Sequence, residues 1–304
     1  MKTFDVVLLT DHRYVSPKEN NQYIKNVLTE DGLVEKALNK LGLRTTKKDW
    51  NDSDFDWDST HIALFRTTWD YFDQFPNFNN WLEKVKTKCI LINTYEQIRW
   101  NLDKHYLNDL KKWGVHIPKS EFIKRNSNIS LEETSSNNNW DEIVIKPTIS
   151  GAARHTYRLK NEEIKNFESK WENLICNEDF IIQEFQNNII KKGEVAIMLF
   201  GGQYTHSVIK KAKSGDFRVQ DDFGGSVENY QPSKEMIALA KKAIKQLKPT
   251  PAYARVDIIW DNESKIAVSE LELIEPELWF RFNESAADKL AAEIKDFLKN
   301  LTSS

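Results

Sequence analysis

Three carboxylates near the end of the chain have the spacing for metal chemistry. Asp257 stands between Val256 and Ile258 in one apolar run, and Glu270 and Glu272 alternate with Leu271 and Leu273 in the next. Residues two apart on a strand share a face. If Ala254–Trp260 and Ile266–Ile274 pair around the turn Asp261–Ser264, all three acids meet on one surface, with cross-strand neighbours about 4.5–5.5 Å apart. Acids that close repel and raise one another's pKa. Divalent cations bridging them relieve the repulsion, and hard oxygen ligands select Mg²⁺. The exposed polar face of an edge hairpin is the other reading of the same spacing.

Cations accompany the acids. Lys104, Lys146, Lys210, Arg218 and Arg255 each stand close to an apolar strand or a turn. Lys146 ends the run Ile143-Val144-Ile145, and a buried lysine needs a carboxylate or phosphate partner. The small-residue loop Thr148–Ala153 follows, and there Ser150 and Gly151 could let backbone N–H groups approach phosphate oxygens. The loop is neither a Walker A nor a GxGxxG sequence. Arg218, between Gly215 and Gly224-Gly225, could hold a phosphoryl group bidentately. It could equally be an ion-paired arginine on a surface hairpin.

These groups must be positioned by a chain of 304 residues, 40% hydrophobic and 12% aromatic, enough for a sizeable core in two or three domains. Lys plus Arg is 43 against 46 Asp plus Glu, a formal charge of −3, which argues against nucleic-acid binding by bulk electrostatics. Cys89 and Cys176 fit no disulfide framework or zinc spacing, and the six histidines are scattered. The run Val6–Leu9 is too short for a signal-peptide core or a membrane span. A soluble, cytoplasmic protein with no membrane partner is expected.

The first third alternates strand and helix, an α/β pattern that predicts a parallel sheet covered on both faces. Strands are expected at Phe4–Thr10, His61–Arg66 and Cys89–Asn93. A loop is expected over Asp11–Asn21, and helices around Leu33–Leu41 and Phe78–Val85. Ligands in such sheets sit at the carboxyl ends of strands, which draws attention to Asp11–Arg13 and to Arg66–Asp70. Asp103–Gly114 reads as one helix, and the polar Asn126–Asn139 as an exposed loop. Glu142–Lys146 and Phe180–Phe185 read as strands. Gly201-Gly202 marks a hairpin between Val195–Phe200 and Tyr204–Lys210. Met236–Leu247 and Ala286–Leu298 are amphipathic.

Taken in order, Asn101-Leu102-Asp103-Lys104, Ile145-Lys146-Pro147, Gln183-Glu184-Phe185, Gly193-Glu194, Phe217-Arg218-Val219-Gln220, Arg255-Val256-Asp257 and Glu270-Leu271-Glu272 resemble the ATP-grasp superfamily of carboxylate–amine ligases. The resemblance is closest to the group with glutathione-synthetase-like ATP-binding domains, and within it to the D-cycloserine-synthetase type. It implies an ATP-grasp fold, α+β in the ATP-binding part. An N-terminal parallel-sheet substrate domain (1–100) would precede a central lid (101–186) and a C-terminal domain with the metal site (187–304).

The resemblance also implies roles. Lys104 and Lys146 would contact the ATP phosphates, with Ser150 and Gly151 in the covering loop. Gln183, Glu184 and Phe185 would form the linker that reads adenine, and Glu194 would hold the ribose. Lys210, Arg218 and Arg255 would be the catalytic cations. Asp257, Glu270 and Glu272 would bind two Mg²⁺ ions, or Mn²⁺. The glutathione-synthetase branch usually has Asn where Glu272 stands and more glycine over Ser150–His155.

On the substrate side Arg66, Asp70, Arg154 and Arg281 are candidates. A carboxylate phosphorylated by ATP would be attacked by an amine, both on small amino-acid-like molecules, or within one molecule. A ligase acting on a peptide or protein and a non-catalytic ATP-binding module are the alternatives. A homodimer is compatible with the resemblance.

Overall fold

The computed structural model describes residues 2–19, 21–213, 215 and 224–302. Its first sheet is built from β1 (Phe4–Thr10), β2 (Thr45–Asp49), β3 (Thr60–Thr67) and β4 (Ile90–Ile92), all parallel, in the order β2-β1-β3-β4. Helices α1 (His12–Val15), α2 (Gln22–Lys40) and α3 (Phe75–Val85) connect them. Val6, Val7, Leu8 and Leu9 are all buried, as a continuous apolar strand covered on both faces requires.

Two expectations need correction here, and one strand forms without a signal in the sequence. Asp11–Asn21 contains α1, whose N-cap is the Asp11 side chain accepting from Arg13 N–H. β2, Thr-Thr-Lys-Lys-Asp, carries no apolar signal, yet it forms as an edge strand with every residue half-buried against β1. Residues 95–114 hold two helices, α4 (Tyr95–Asn101) and α5 (Tyr106–Lys112), rather than one from Asp103. A full capping box of Thr94 and Gln97 starts α4, and Lys104 lies between the two helices.

The second sheet is antiparallel, in the order β5-β8-β6-β7, from β5 (Ser120–Ile123), β6 (Glu142–Pro147), β7 (Tyr157–Lys160) and β8 (Phe180–Glu184). Helices α6 (Leu131–Asn138) and α7 (Asn161–Ile175) pack together and with it. α6 replaces the loop expected over Asn126–Asn139. Ser130 caps it by accepting from the amides of Glu132 and Glu133, Leu131 is fully buried, and Asn139 ends it in the left-handed region at φ 55°. Its weak amphipathicity hid it among Asn and Ser.

The third sheet runs β11-β10-β9-β12-β13, antiparallel throughout, from β9 (Glu194–Phe200), β10 (Gln203–Lys211), β11 (Ser226–Asn229), β12 (Tyr253–Trp260) and β13 (Ile266–Glu272). The short α8 (Asn188–Lys192) precedes it. Gly201 and Gly202 make the β9–β10 turn at φ 53° and 74°, values that a side chain would strain. α9 (Lys234–Ile244) packs on one face of this sheet.

On the other face the last helix, α10 (Ser285–Thr302), returns to the start of the chain. Ala286, Leu290 and Ile294 share a core with Val34 and Leu38 of α2 and with Met198 and Phe200 of β9. The first and third sheets are therefore buttressed by one hydrophobic cluster, which fixes the cleft between them. Among the described residues no helix is long and apolar enough to cross a membrane.

Candidate active site

The β12–β13 register places Asp257 opposite Glu270 and Arg255 opposite Glu272. One oxygen from each of Asp257, Glu270 and Glu272 falls within 4.8 Å of the others. β12 lies between β9 and β13, so Asp257 is only 2% exposed. Glu270 and Glu272, on the edge strand, are half-buried and face a cavity of about 470 Å³.

Such a cluster must be neutralised, and four cations do part of it. Lys210, 3% exposed on β10, puts its Nζ 2.7 Å from Glu194 and 3.1 Å from Asp257. Burial opposes its charge, but the two carboxylates prevail and raise its pKa. The Arg255 guanidinium sits 2.9 Å from Asp257 and also pairs with Glu272. Lys104 lies 3.2 Å from Glu270 and donates to the carbonyl of Ser150 at 2.7 Å. Lys146, on β6, is pushed down by burial and by Lys104, with Glu270 opposing.

The balance is uneven. At Glu270 the penalty of burial is outweighed by Lys104 and Lys146, which hold it down at about 2. At Glu272 burial dominates, Arg255 offsets it only partly, and the charges of Glu270 and Asp257 push it up to about 8. Glu275 is pushed by burial to about 7. A divalent cation suits this cluster, because its charge offsets both the burial and the neighbouring carboxylates that hold the proton on Glu272. The donor set is all oxygen, as a hard cation needs.

The loop after β6 forms another wall. Gly151 needs to be glycine because of closeness rather than φ: a Cβ there would lie 2.6 Å from the Phe72 ring. Ala152, Ala153 and His155 take positive φ of 47°, 55° and 50°, a local strain of the kind that clusters at ligand-binding loops. The backbone of Lys104 donates to Thr148 O, so helix junction and loop are tied together.

At another part of the cavity Gln183, Glu184 and Phe185 sit beside apolar Pro118, Val144 and Ile259. The amides of Glu184 and Phe185 already donate to Lys119 and Glu142 carbonyls, and Gln183 Nε2 donates to Ser120 Oγ at 2.8 Å. The hydrogen-bonding capacity this linker retains therefore includes the second lone pairs of its carbonyls.

The substrate-side candidates do not gather here. Arg66 is 2% exposed, its Nε 3.5 Å from Asp31, with its guanidinium over Phe280. Asp70 accepts from Trp50 Nε1 at 2.7 Å and Gln74 Nε2 at 3.0 Å. Arg154 is held by Glu178, and Arg281 by Glu30 and Glu277. Arg218 lies outside the described residues. Instead α1 contributes Arg13 and Tyr14 to the cavity, α2 Tyr23 and the turn after β3 Trp69, and the segment after β13 contributes Glu275, Glu277 and Trp279. The strand-end rule pointed to Asp11–Arg13, and Arg13 is there, fixed by buried Asp11 at 2.6 Å. Two more acids following Glu272 at odd spacing were the overlooked signal for the rest.

Residues 6–93 match the family of the N-terminal domain of D-cycloserine synthetase DcsG, and residues 115–270 match the family described as prokaryotic glutathione synthetase, ATP-grasp domain. The cycloserine biosynthesis protein DcsG of Streptomyces lavendulae is 25% identical over 278 residues, covering 86% of this chain and 92% of its own. The crystal structure of D-cycloserine synthetase DcsG superposes with a TM-score of 0.84 at 23% identity over 96% of this chain and 99% of that one. D-alanine–D-alanine ligase from Bacillus anthracis gives 0.65 at 15% identity over 96% of each. Both structures share the ATP-grasp fold. Since the ATP-grasp match spans more than half of its length, the chain belongs to the prokaryotic glutathione synthetase ATP-grasp family.

Proposed function

We propose that this chain, an ATP-dependent carboxylate–amine ligase, joins or cyclises a small amino-acid-like substrate by the residues gathered around the Asp257–Glu270–Glu272 cluster. The observation that carries the reading is the cluster of Asp257, Glu270 and Glu272, with Glu270, Glu272 and four cations on the wall of one cavity and Asp257 buried beneath them. Lys104, Lys210 and Arg255 pair with these acids. With nucleotide bound, Lys104, Lys146, Lys210 and Arg255 have phosphate oxygens to turn to, and the acids have divalent metal.

Asp257, Glu270 and Glu272 would hold the metal, Mg²⁺ for preference and two ions by the number of carboxylates, with Mn²⁺ as a substitute. Bound there, the metal neutralises charge on the transferring phosphoryl group. Pro118, Val144 and Ile259 would sandwich adenine beside the Gln183–Phe185 linker, and Glu194 would take the ribose. Lys210 and Arg255 supply fixed positive charge in a dry pocket, where it counts for more than in water. No protein nucleophile is needed: the substrate carboxylate attacks the γ-phosphorus directly, and an amine then displaces phosphate from the acyl-phosphate. The segment 101–186 acts as a lid, and Gly151 lets its loop close on Phe72, excluding water from that intermediate.

The test is ADP and phosphate release from Mg²⁺-ATP with D- and L-amino acids, singly and in pairs. Release that depends on a particular amino acid or pair, and is lost in Glu270→Ala, supports the reading. ATP binding with no amino-acid-dependent release contradicts it.

A further inference from the structure

Five carboxylates on the cavity wall have a cation within 4 Å. Glu184 has Lys119 at 3.8 Å, Glu194 has Lys210 at 2.7 Å, Glu270 has Lys104 at 3.2 Å, Glu272 has Arg255, and Glu277 has Arg281. Glu275 also lines the cavity, and among the described residues it has no such cation. A shielded carboxylate without a counter-charge is costly, and structures keep one where a ligand supplies the missing charge.

The position of Glu275 is fixed rather than incidental. Asn101 and Asn93 hold the amide and carbonyl of Leu273 at 2.7 and 2.8 Å. The Tyr253 hydroxyl donates to Ile274 O at 2.6 Å, and Trp69 Nε1 donates to Glu275 O at 2.9 Å. Four side chains from separate parts of the fold therefore pin three consecutive residues. The surroundings suit a cation: Trp69, Tyr71 and Trp279 present aromatic surface to the same cavity.

We propose that Glu275 is the residue that receives the substrate's primary amine, binding it as an ammonium and taking one proton from it before attack. The inference rests on the ligase reading above. The nitrogen gives one proton to the Glu275 carboxylate, and its freed lone pair forms the C–N bond at the acyl carbon. The C–O bond to phosphate breaks with its electrons on the phosphate oxygen, and the nitrogen's second proton leaves with it as hydrogen phosphate. Burial pushes Glu275 up to about 7, with the Tyr71 hydroxyl and Lys104 pulling down and Glu270 pushing up, and the charge of Glu272 also lies nearby. A base of that strength is matched to proton transfer near neutral pH.

The experiment separates the two halves of the reaction. Wild type and Glu275→Gln are incubated with Mg²⁺-ATP and an equimolar mixture of D- and L-amino acids, with and without hydroxylamine, and amides and hydroxamates are counted by mass spectrometry. Hydroxylamine is already unprotonated at neutral pH and traps the acyl-phosphate without a base. Glu275→Gln should lose amide formation by about 100-fold or more while its hydroxamate yield stays within about threefold. Glu275→Ala should regain amide formation when formate is added.

Unchanged amide formation in Glu275→Gln would overturn the assignment and leave the ligase reading standing. So would equal loss of both products with Mg²⁺-ATP still raising the melting temperature. Absence of hydroxamate from wild type would remove the ligase reading and this inference with it.

Discussion

Replacing Arg255 by Met should unbalance the acid cluster in a way a divalent cation repairs. Carboxylate oxygens within 4.8 Å repel by about 3 kcal/mol per pair at an effective dielectric near 20. Among the described residues Arg255 is the one cation that touches both Asp257 and Glu272; Lys210 pairs with Asp257 of the cluster, and Lys104 with Glu270. Removing one partner of a buried ion pair costs about 3–5 kcal/mol, which for a chain of this length lowers Tm by about 5–8 °C. Met preserves most of the packing against Trp279, over which the guanidinium lies at 5.1 Å, so the loss is chiefly electrostatic. Mg²⁺ at about 100 times its Kd contributes about 2.7 kcal/mol. Differential scanning fluorimetry at pH 8 should show Mg²⁺ recovering half or more of the deficit, with a smaller Mg²⁺ shift in wild type. A variant as stable as wild type, or equal Mg²⁺ shifts in the two proteins, would refute the reasoning.

Glu272 and Glu275, pushed to about 8 and about 7, keep protons that the unfolded chain releases near its ordinary glutamate value. Their contribution to stability is complete below that value and is lost as pH rises through the folded values. Metal-free wild type should therefore melt at lower temperature at pH 8.5 than at pH 6, and the Mg²⁺ shift should be larger at pH 8.5. Gly151→Ala drives a Cβ into Phe72; the KM for ATP should rise about tenfold, and Tm should fall by about 2–5 °C for an overpacking cost of about 1–3 kcal/mol. Asp70→Ala leaves the Trp50 indole N–H without its 2.7 Å acceptor; calorimetry should show about 1–3 kcal/mol of lost stability, with every substrate KM unaltered.

The strands and the acid hairpin were legible because their signals are local. Alternation fixes which face Asp257, Glu270 and Glu272 occupy, and Gly201-Gly202 announces its turn. What was hidden depends on partners distant in sequence. β2 has no apolar pattern of its own and exists because β1 offers an edge. α6 is carried by Ser130 capping and one buried leucine, amid residues that read as a loop. Arg66 looks like a strand-end ligand, yet it turns toward Asp31 of α2, a pairing that no spacing foretells. Glu275 is singled out only when each neighbouring acid is seen with its cation. Gly151 shows a different limit: glycine is legible, but its reason, the Phe72 ring, lies far away in the chain.

The claim that a substrate carboxylate is activated as an acyl-phosphate is tested most directly by isotope transfer. Amino acids labelled with ¹⁸O in the carboxyl group are turned over with Mg²⁺-ATP, and the released phosphate is weighed by mass spectrometry. Attack of the carboxylate on the γ-phosphorus, then of the amine on the acyl carbon, leaves one labelled oxygen in each phosphate, equal in amount to the amide formed. Amide formed with unlabelled phosphate, or ADP released with no label transferred, would contradict the account.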